Sequence, residues 1–155
     1  PEWVAGSVVL IQKDFFKKIG KWSEDKFWMY SEDPDICLKV SNNGGEIALL
    51  RNVELKHTHG GSSRRNPKTT AITKSEVVTS SHVFIHMNSS GINMLALHLV
   101  IMVNTLTSWL LRTLITLPFF WKDFSKANLF TLVAIIKYYL SVLIRKTWKS
   151  KRLKK

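Results

Sequence analysis

"SVVLIQKDFFKKIG", residues 7–20, joins a β-branched apolar run to a short helical pattern that stops at a glycine. Ser7 to Gln12 reads as a buried strand, because consecutive Val, Val, Leu and Ile suit a pleated surface covered on both faces. Asp14 is placed to cap a helix over Phe15–Ile19, and Gly20 to end it. Glu46 to Leu50 and Val53 to Leu55 read as two more short strands around an Arg-Asn turn. The first part of the chain is therefore expected to be mixed α/β.

Between these runs lies "MYSEDPDICLKV", residues 29–40, with Glu32, Asp33 and Asp35 inside four positions. Pro34 fits a first helical turn, which makes Asp33 the expected N-cap and puts Asp35 one residue inside. Ile36, Leu38 and Val40 supply apolar positions, and Asn42-Asn43-Gly44-Gly45 stops the helix. Capping needs only one carboxylate, and three together repel one another. A carboxylate held by backbone N–H groups at a helix start stays ionised, which also suits a general base. The acids are thus either a helix start or a reaction site.

Residues 57–68, HTHGGSSRRNPK, form a Gly/Ser/Arg-rich loop of the kind that more often carries function than core. His57 and His59 are two apart, so in an extended segment they point to opposite faces and do not chelate one metal together. One of them could join carboxylates from elsewhere in a metal site. Arg64 and Arg65 could contact a diphosphate, or stay solvated. Helix is expected again from Thr69 to about Met87.

The chain of 155 residues has room for about one domain. It shows no signal-peptide pattern and reads as a piece of a longer protein. Cys37 stands alone, which excludes an internal disulfide and fits a reducing compartment. Charge is uneven: residues 1–76 hold 12 Lys/Arg and 10 Asp/Glu, whereas residues 77–155 hold 11 Lys/Arg and only Asp123. The strongly basic half is also the apolar half, which points to an anionic membrane rather than to nucleic acid. Nucleic acid fits poorly because Trp148 is the only aromatic of the basic tail.

From Val77 to Leu111 there is no charged residue, a run longer than the roughly 20 residues that cross a bilayer core. Yet His98, Asn104, Thr105, Ser108, Arg112 and Thr116 form one helical stripe, opposite Leu99, Val103, Leu106, Leu110, Leu114 and Leu117. An amphipathic helix lying in the interface therefore competes with a spanning one. Pro118 ends it, and Phe119, Phe120 and Trp121 offer an aromatic anchor. The second apolar segment, Ala127 to Ile144, is interrupted by Lys137. Arg145 and Lys146 open a tail with seven Lys/Arg and no acid through Lys155. Two spanning helices would leave Lys122 and Lys126 on the far side, against the positive-inside rule, and this favours interfacial or re-entrant helices.

Four blocks in order carry a family resemblance: Trp3-Val-Ala-Gly6-Ser; Phe15-Phe-Lys-Lys-Ile-Gly20-Lys-Trp22-Ser-Glu24; Phe27-Trp-Met-Tyr-Ser-Glu32-Asp33-Pro-Asp35-Ile-Cys-Leu-Lys39; and Val53-Glu-Leu-Lys-His57-Thr-His-Gly60-Gly-Ser62. Over about residues 1–90 the chain resembles the C-terminal half of a family 2 glycosyltransferase of the GT-A fold, rhamnosyltransferase-like. The resemblance implies that Asp33 is the base deprotonating an acceptor hydroxyl, with Glu32 and Asp35 shaping the acceptor pocket. It implies further that Trp3 and Gly6 line that pocket. His57, with His59 as second choice, would contact the metal or the donor diphosphate. A nucleotide-sugar donor and a divalent cation (Mg2+ or Mn2+) follow, the cation held mainly by an N-terminal nucleotide-binding half with a DxD motif that this sequence lacks. Lys21, Trp22, Ser23-Glu24 and Lys39 depart from the family pattern, none of them at the base.

The expectation is therefore an α/β, Rossmann-like acceptor-side half over residues 1–90, membrane-associating helices over 91–144 and a basic tail over 145–155. The function it implies is inverting transfer of a sugar, such as rhamnose, to a glycan or lipid-linked glycan at the cytoplasmic face of the cell membrane. The alternative is a non-catalytic membrane-anchored remnant or interaction module.

Overall fold

A computed structural model of the chain describes residues 1–50, 52–54, 56 and 66–153. Five α-helices follow in order: α1 (Lys13–Lys18), α2 (Glu32–Asn42), α3 (Pro67–Asn88), α4 (Gly91–Thr116) and α5 (Asp123–Arg145), with a 3-10 turn (Leu117–Phe119) between the last two. The described residues contain no strand and no sheet. This overturns the α/β, Rossmann-like expectation. The reason is pairing, since a strand exists only where its N–H and C=O groups meet a neighbour. Ser7–Gln12 and the segment after Gly44 flank an apolar cleft of about 410 Å3 over α2, lined by Val9, Ile11, Phe15, Val40 and Ile47. Apolar and β-branched, they line the same cleft without forming a ladder.

The head, residues 1–50, packs around α2. Ile19, Ile36, Cys37 and Val40 are buried together, with Val4, Ile11, Phe15, Phe16, Trp22 and Ile47 packed against them. The start of α2 differs from the expected one. Its N-cap is Ser31, in the left-handed region at φ 63° and without a side-chain cap bond, so Asp33 lies inside the first turn. Pro34 is tolerated there because the first N–H groups of a helix have no intrahelical partner. Asn43 closes α2, and Gly44 follows at φ +73°, a conformation that glycine takes without strain. Similarly, α1 starts after Gln12, with Asp14 in its first turn rather than at the cap.

Helix α3 begins with a cap of the expected chemistry. Asn66 accepts from the Thr69 N–H at 2.9 Å, and Pro67 occupies the first position. This helix carries a polar interior: Thr73, Ser75, Glu76, Thr79, Ser80 and His82 are all buried. Ser80 donates to the Met29 carbonyl at 2.5 Å, which ties the head to the middle of α3. α5 returns along α4 in the opposite direction, since Ser125 and Asn128 bond Thr116 while Tyr139 bonds Thr105. Both α4 and α5 pack on α3.

The tail does not extend away. After Lys146, which turns the chain at φ 53°, it folds back over α3. Trp148 stacks on the rings of His82 and His98, at centroid distances of 4.5 and 4.1 Å. Further on, Arg152 bonds the fully buried Glu76 at 2.7 Å and lies over the Trp28 ring at 5.4 Å. The tail thereby joins α3 to the head.

Under Trp148, His82 and His98 face each other through their Nδ1 atoms at 2.7 Å, and His82 Nε2 meets the Tyr139 hydroxyl at 3.0 Å. Such a contact is a hydrogen bond only while one Nδ1 carries a proton and the other does not. Burial, and secondarily the neighbouring His98, push the His82 imidazole down to about 4. The folded protein thus refuses a proton that the unfolded chain accepts near pH 6.5. Stability from this group is full above pH 6.5, falls as pH drops towards 4, and is constant below. The expected loss between pH 7.5 and 4.5 is about 2 kcal/mol. Urea midpoints at the two pH values check it, with His82→Asn expected to flatten the difference.

Candidate functional site

The acids at the start of α2 do not act as one cluster. Asp35 turns inward and is almost fully buried: Ser23 Oγ donates to its Oδ2 at 2.7 Å, and Lys39 Nζ lies 3.4 Å from the same oxygen. Lys39 in turn donates to Ser23 Oγ at 2.6 Å and to the Lys21 carbonyl at 3.0 Å. A carboxylate so enclosed anchors the loop of residues 21–23 to α2 and presents no free oxygen pair to a ligand. The departures from the family pattern at Lys21, Ser23 and Lys39 make up this network.

Asp33 sits differently. Residues 4–6 pass along the first turns of α2, with the Val4 carbonyl 4.0 Å from Cys37 Sγ and Gly6 against the Asp33 carboxylate. A Cβ at position 6 would overlap Asp33 Oδ1, so a larger residue there would push the carboxylate aside. Gly6 and Asp33 are 27 residues apart along the chain and lie in contact in the structure. Gly6→Ala is expected to displace the Asp33 carboxylate while leaving helix content unchanged, read by circular dichroism beside a shift of the Asp33 side-chain carboxyl resonance in NMR.

Glu32 is partly buried, and its Oε2 has no hydrogen-bond partner among the described residues. Burial raises its carboxyl above the ordinary carboxylate range, and the Asp33 charge adds to that. Trp3, at the start of the same passing segment, is 57% exposed.

His57, His59, Arg64 and Arg65 lie outside the described residues. Among the described residues no three His, Cys, Asp or Glu side chains converge on a point that could hold a metal ion. The divalent cation that the resemblance implies would be held mainly by an N-terminal half and by His57, not by the described residues, and no step is derived through it.

The residues read as membrane-facing are on the surface. Arg112 lies over the Trp109 ring at 5.2 Å, Trp121 stands at the exposed turn between α4 and α5, and Lys137, Arg145 and Lys146 are exposed. Two helices, Gly91–Phe119 with the 3-10 turn included and Asp123–Arg145, are long and apolar enough to cross or to associate with a membrane. Sequence reading missed Glu76, Arg152 and His82, whose partners lie 76 and 16 residues away. The one available signal was an acid and a histidine within a Ser/Thr-rich helix. Compared with protein-family models, with curated proteins and with solved structures, the chain finds no match, and the family resemblance therefore rests on the quoted residues alone.

Proposed function

We propose that this chain is part of a membrane-associated inverting glycosyltransferase in which Asp33 is the general base. The observation that carries the reading is the Asp33 carboxylate, held in the first turn of α2 against the backbone of Gly6, within the Glu-Asp-Pro-Asp block. In this role Asp33 takes the proton of an acceptor hydroxyl as its oxygen attacks the anomeric carbon of a nucleotide-sugar and the nucleoside diphosphate leaves. Glu32, half-buried with its Oε2 unbonded among the described residues, borders the acceptor side, and Trp3 offers an exposed apolar face to a sugar ring. The donor diphosphate and the divalent cation belong to residues beyond these, including His57, His59, Arg64 and Arg65.

The acceptor is a glycan or lipid-linked glycan, which fits a chain whose helices associate with a membrane, and a cytoplasmic face fits a soluble donor. Transfer by the intact enzyme, measured for the natural protein and for Asp33→Asn, tests the reading. A second reading, a non-catalytic membrane-associating module, is favoured by the all-helical architecture, in which α3, α4 and α5 are the longest elements. Full transfer activity in the Asp33 variant would leave that second reading standing.

A further inference from the structure

The helices α4 and α5 are turned inside out relative to those of a water-soluble bundle. The stripe of α4 that packs inward is the polar one: His98 and Thr113 are buried, and Thr105, Ser108 and Thr116 are partly buried. Outward face Leu95, Leu99, Val103, Leu110, Leu114 and Leu117, each exposed and recurring at helical spacing. On α5 the inward face is mixed, with Thr131 and Ser141 buried beside Leu132 and Ile135, while Val133, Ile136, Leu140 and Leu143 face outward. Water is the wrong solvent for these faces.

Three features decide how a membrane meets them. First, the head is attached at the side of the bundle, through Ser80 in mid-α3 and through Arg152 between Glu76 and Trp28. A bundle crossing the bilayer would draw this head, and Lys74 on the exposed surface of α3, into the hydrocarbon. Second, Lys137 is exposed 14 residues into α5, at a depth where a crossing helix would hold its ammonium well inside the core. Third, exposed cations border the outer apolar surface of α5 not only at its ends, at Lys122 and Lys126 and at Arg145 and Lys146, but also between them at Lys137.

We propose that α4 and α5 lie in the plane of one leaflet, apolar faces down, with the Phe119-Phe120-Trp121 turn immersed and the flanking lysines and arginines on anionic headgroups. The inference rests on the membrane association proposed above and commits it to one geometry. Charge complementarity selects the occupant, since residues 77–155 hold 11 Lys/Arg against Asp123 alone. A second copy of so basic a surface would repel the first. The proposal also places the head beside the leaflet rather than above a membrane-crossing stalk, with Asp33 within reach of an acceptor whose lipid lies in that leaflet.

Flotation of the whole protein with vesicles of phosphatidylcholine and phosphatidylglycerol, against phosphatidylcholine alone, reads the charge dependence. Val103→Lys with Leu110→Lys, on a face that touches no other element, is expected to weaken binding at least tenfold. Geometry is read from single cysteines at Leu95, Val103 and Leu114 carrying a fluorophore, quenched by lipids labelled at known depths; Cys37 is buried and stays unlabelled. In-plane docking gives three equal depths, and a reagent outside sealed vesicles reaches a cysteine at Lys122. A depth maximum at Val103 with the turn protected overturns the in-plane geometry while keeping membrane association. Failure to bind vesicles, with a dimer in light scattering, overturns both, and neither result depends on whether Asp33 is a base.

Discussion

If the chain belongs to the glycosyltransferase proposed above, asparagine at position 33 is expected to cut sugar transfer sharply while donor binding and helix content stay as they were. Asparagine has the shape of aspartate and fits the same space beside Gly6, so the change removes basicity with little change in volume. Positioned proton transfer contributes typically 10²–10⁴-fold to a rate, and a loss of at least about 10² is the expected reading. Asp35→Asn separates chemistry from folding. That carboxylate is enclosed by Ser23 and Lys39, so its loss is expected to lower stability while each folded molecule keeps its turnover. Turnover of Asp33→Asn equal to the natural protein's would remove Asp33 from the reaction.

The second large effect concerns the tail. Arg152→Ala leaves the carboxylate of Glu76 fully buried with neither oxygen bonded, because Oε1 already has no partner among the described residues. Breaking a buried pair by removing one member costs about 3–5 kcal/mol, since the remaining charge stays out of water. The Arg152 side chain is itself 37% exposed, so water supplies part of what is lost, and about 2–3 kcal/mol is the expected destabilisation. Loss of the contact with Trp28 adds a smaller term. A urea titration of Arg152→Ala checks the size, and adding Glu76→Gln is expected to restore a large part of the stability by removing the stranded charge. An unchanged midpoint in the single variant would mean that the tail does not hold the head to α3.

Much of the helical half was legible because period and composition are local properties. The run from Gly91 to Pro118 carries its polar stripe and its leucine face openly, and α3 starts at Pro67 on an Asn66 cap, two residues before the expected Thr69. What the stripe faces was not legible. An amphipathic helix tells which face is polar but not which solvent lies outside, and only the packing of His98 and Thr113 against α3 and α5 turned the apolar face outward.

In the head the reverse happened. Ser7–Gln12 and Glu46–Leu50 have strand composition, yet β-structure needs a partner at hydrogen-bonding distance, and the cleft over α2 lies between them. The three acids looked alike along the chain and came apart in space. Position within the first turn sent Asp35 to Ser23 and Lys39, left Asp33 beside Gly6, and shielded Glu32 without a partner.

By itself the sequence determined which stretches are helical to within a turn, how charge divides between the halves, and which carboxylates stand near the start of α2, because all three follow from neighbours within a turn or two. Only the tertiary structure decided that no sheet forms among the described residues, that Gly6 meets Asp33, and that Arg152 reaches Glu76 across 76 residues. Those outcomes depend on which distant surfaces meet, and local pattern carries no information about a partner that arrives from elsewhere in the chain.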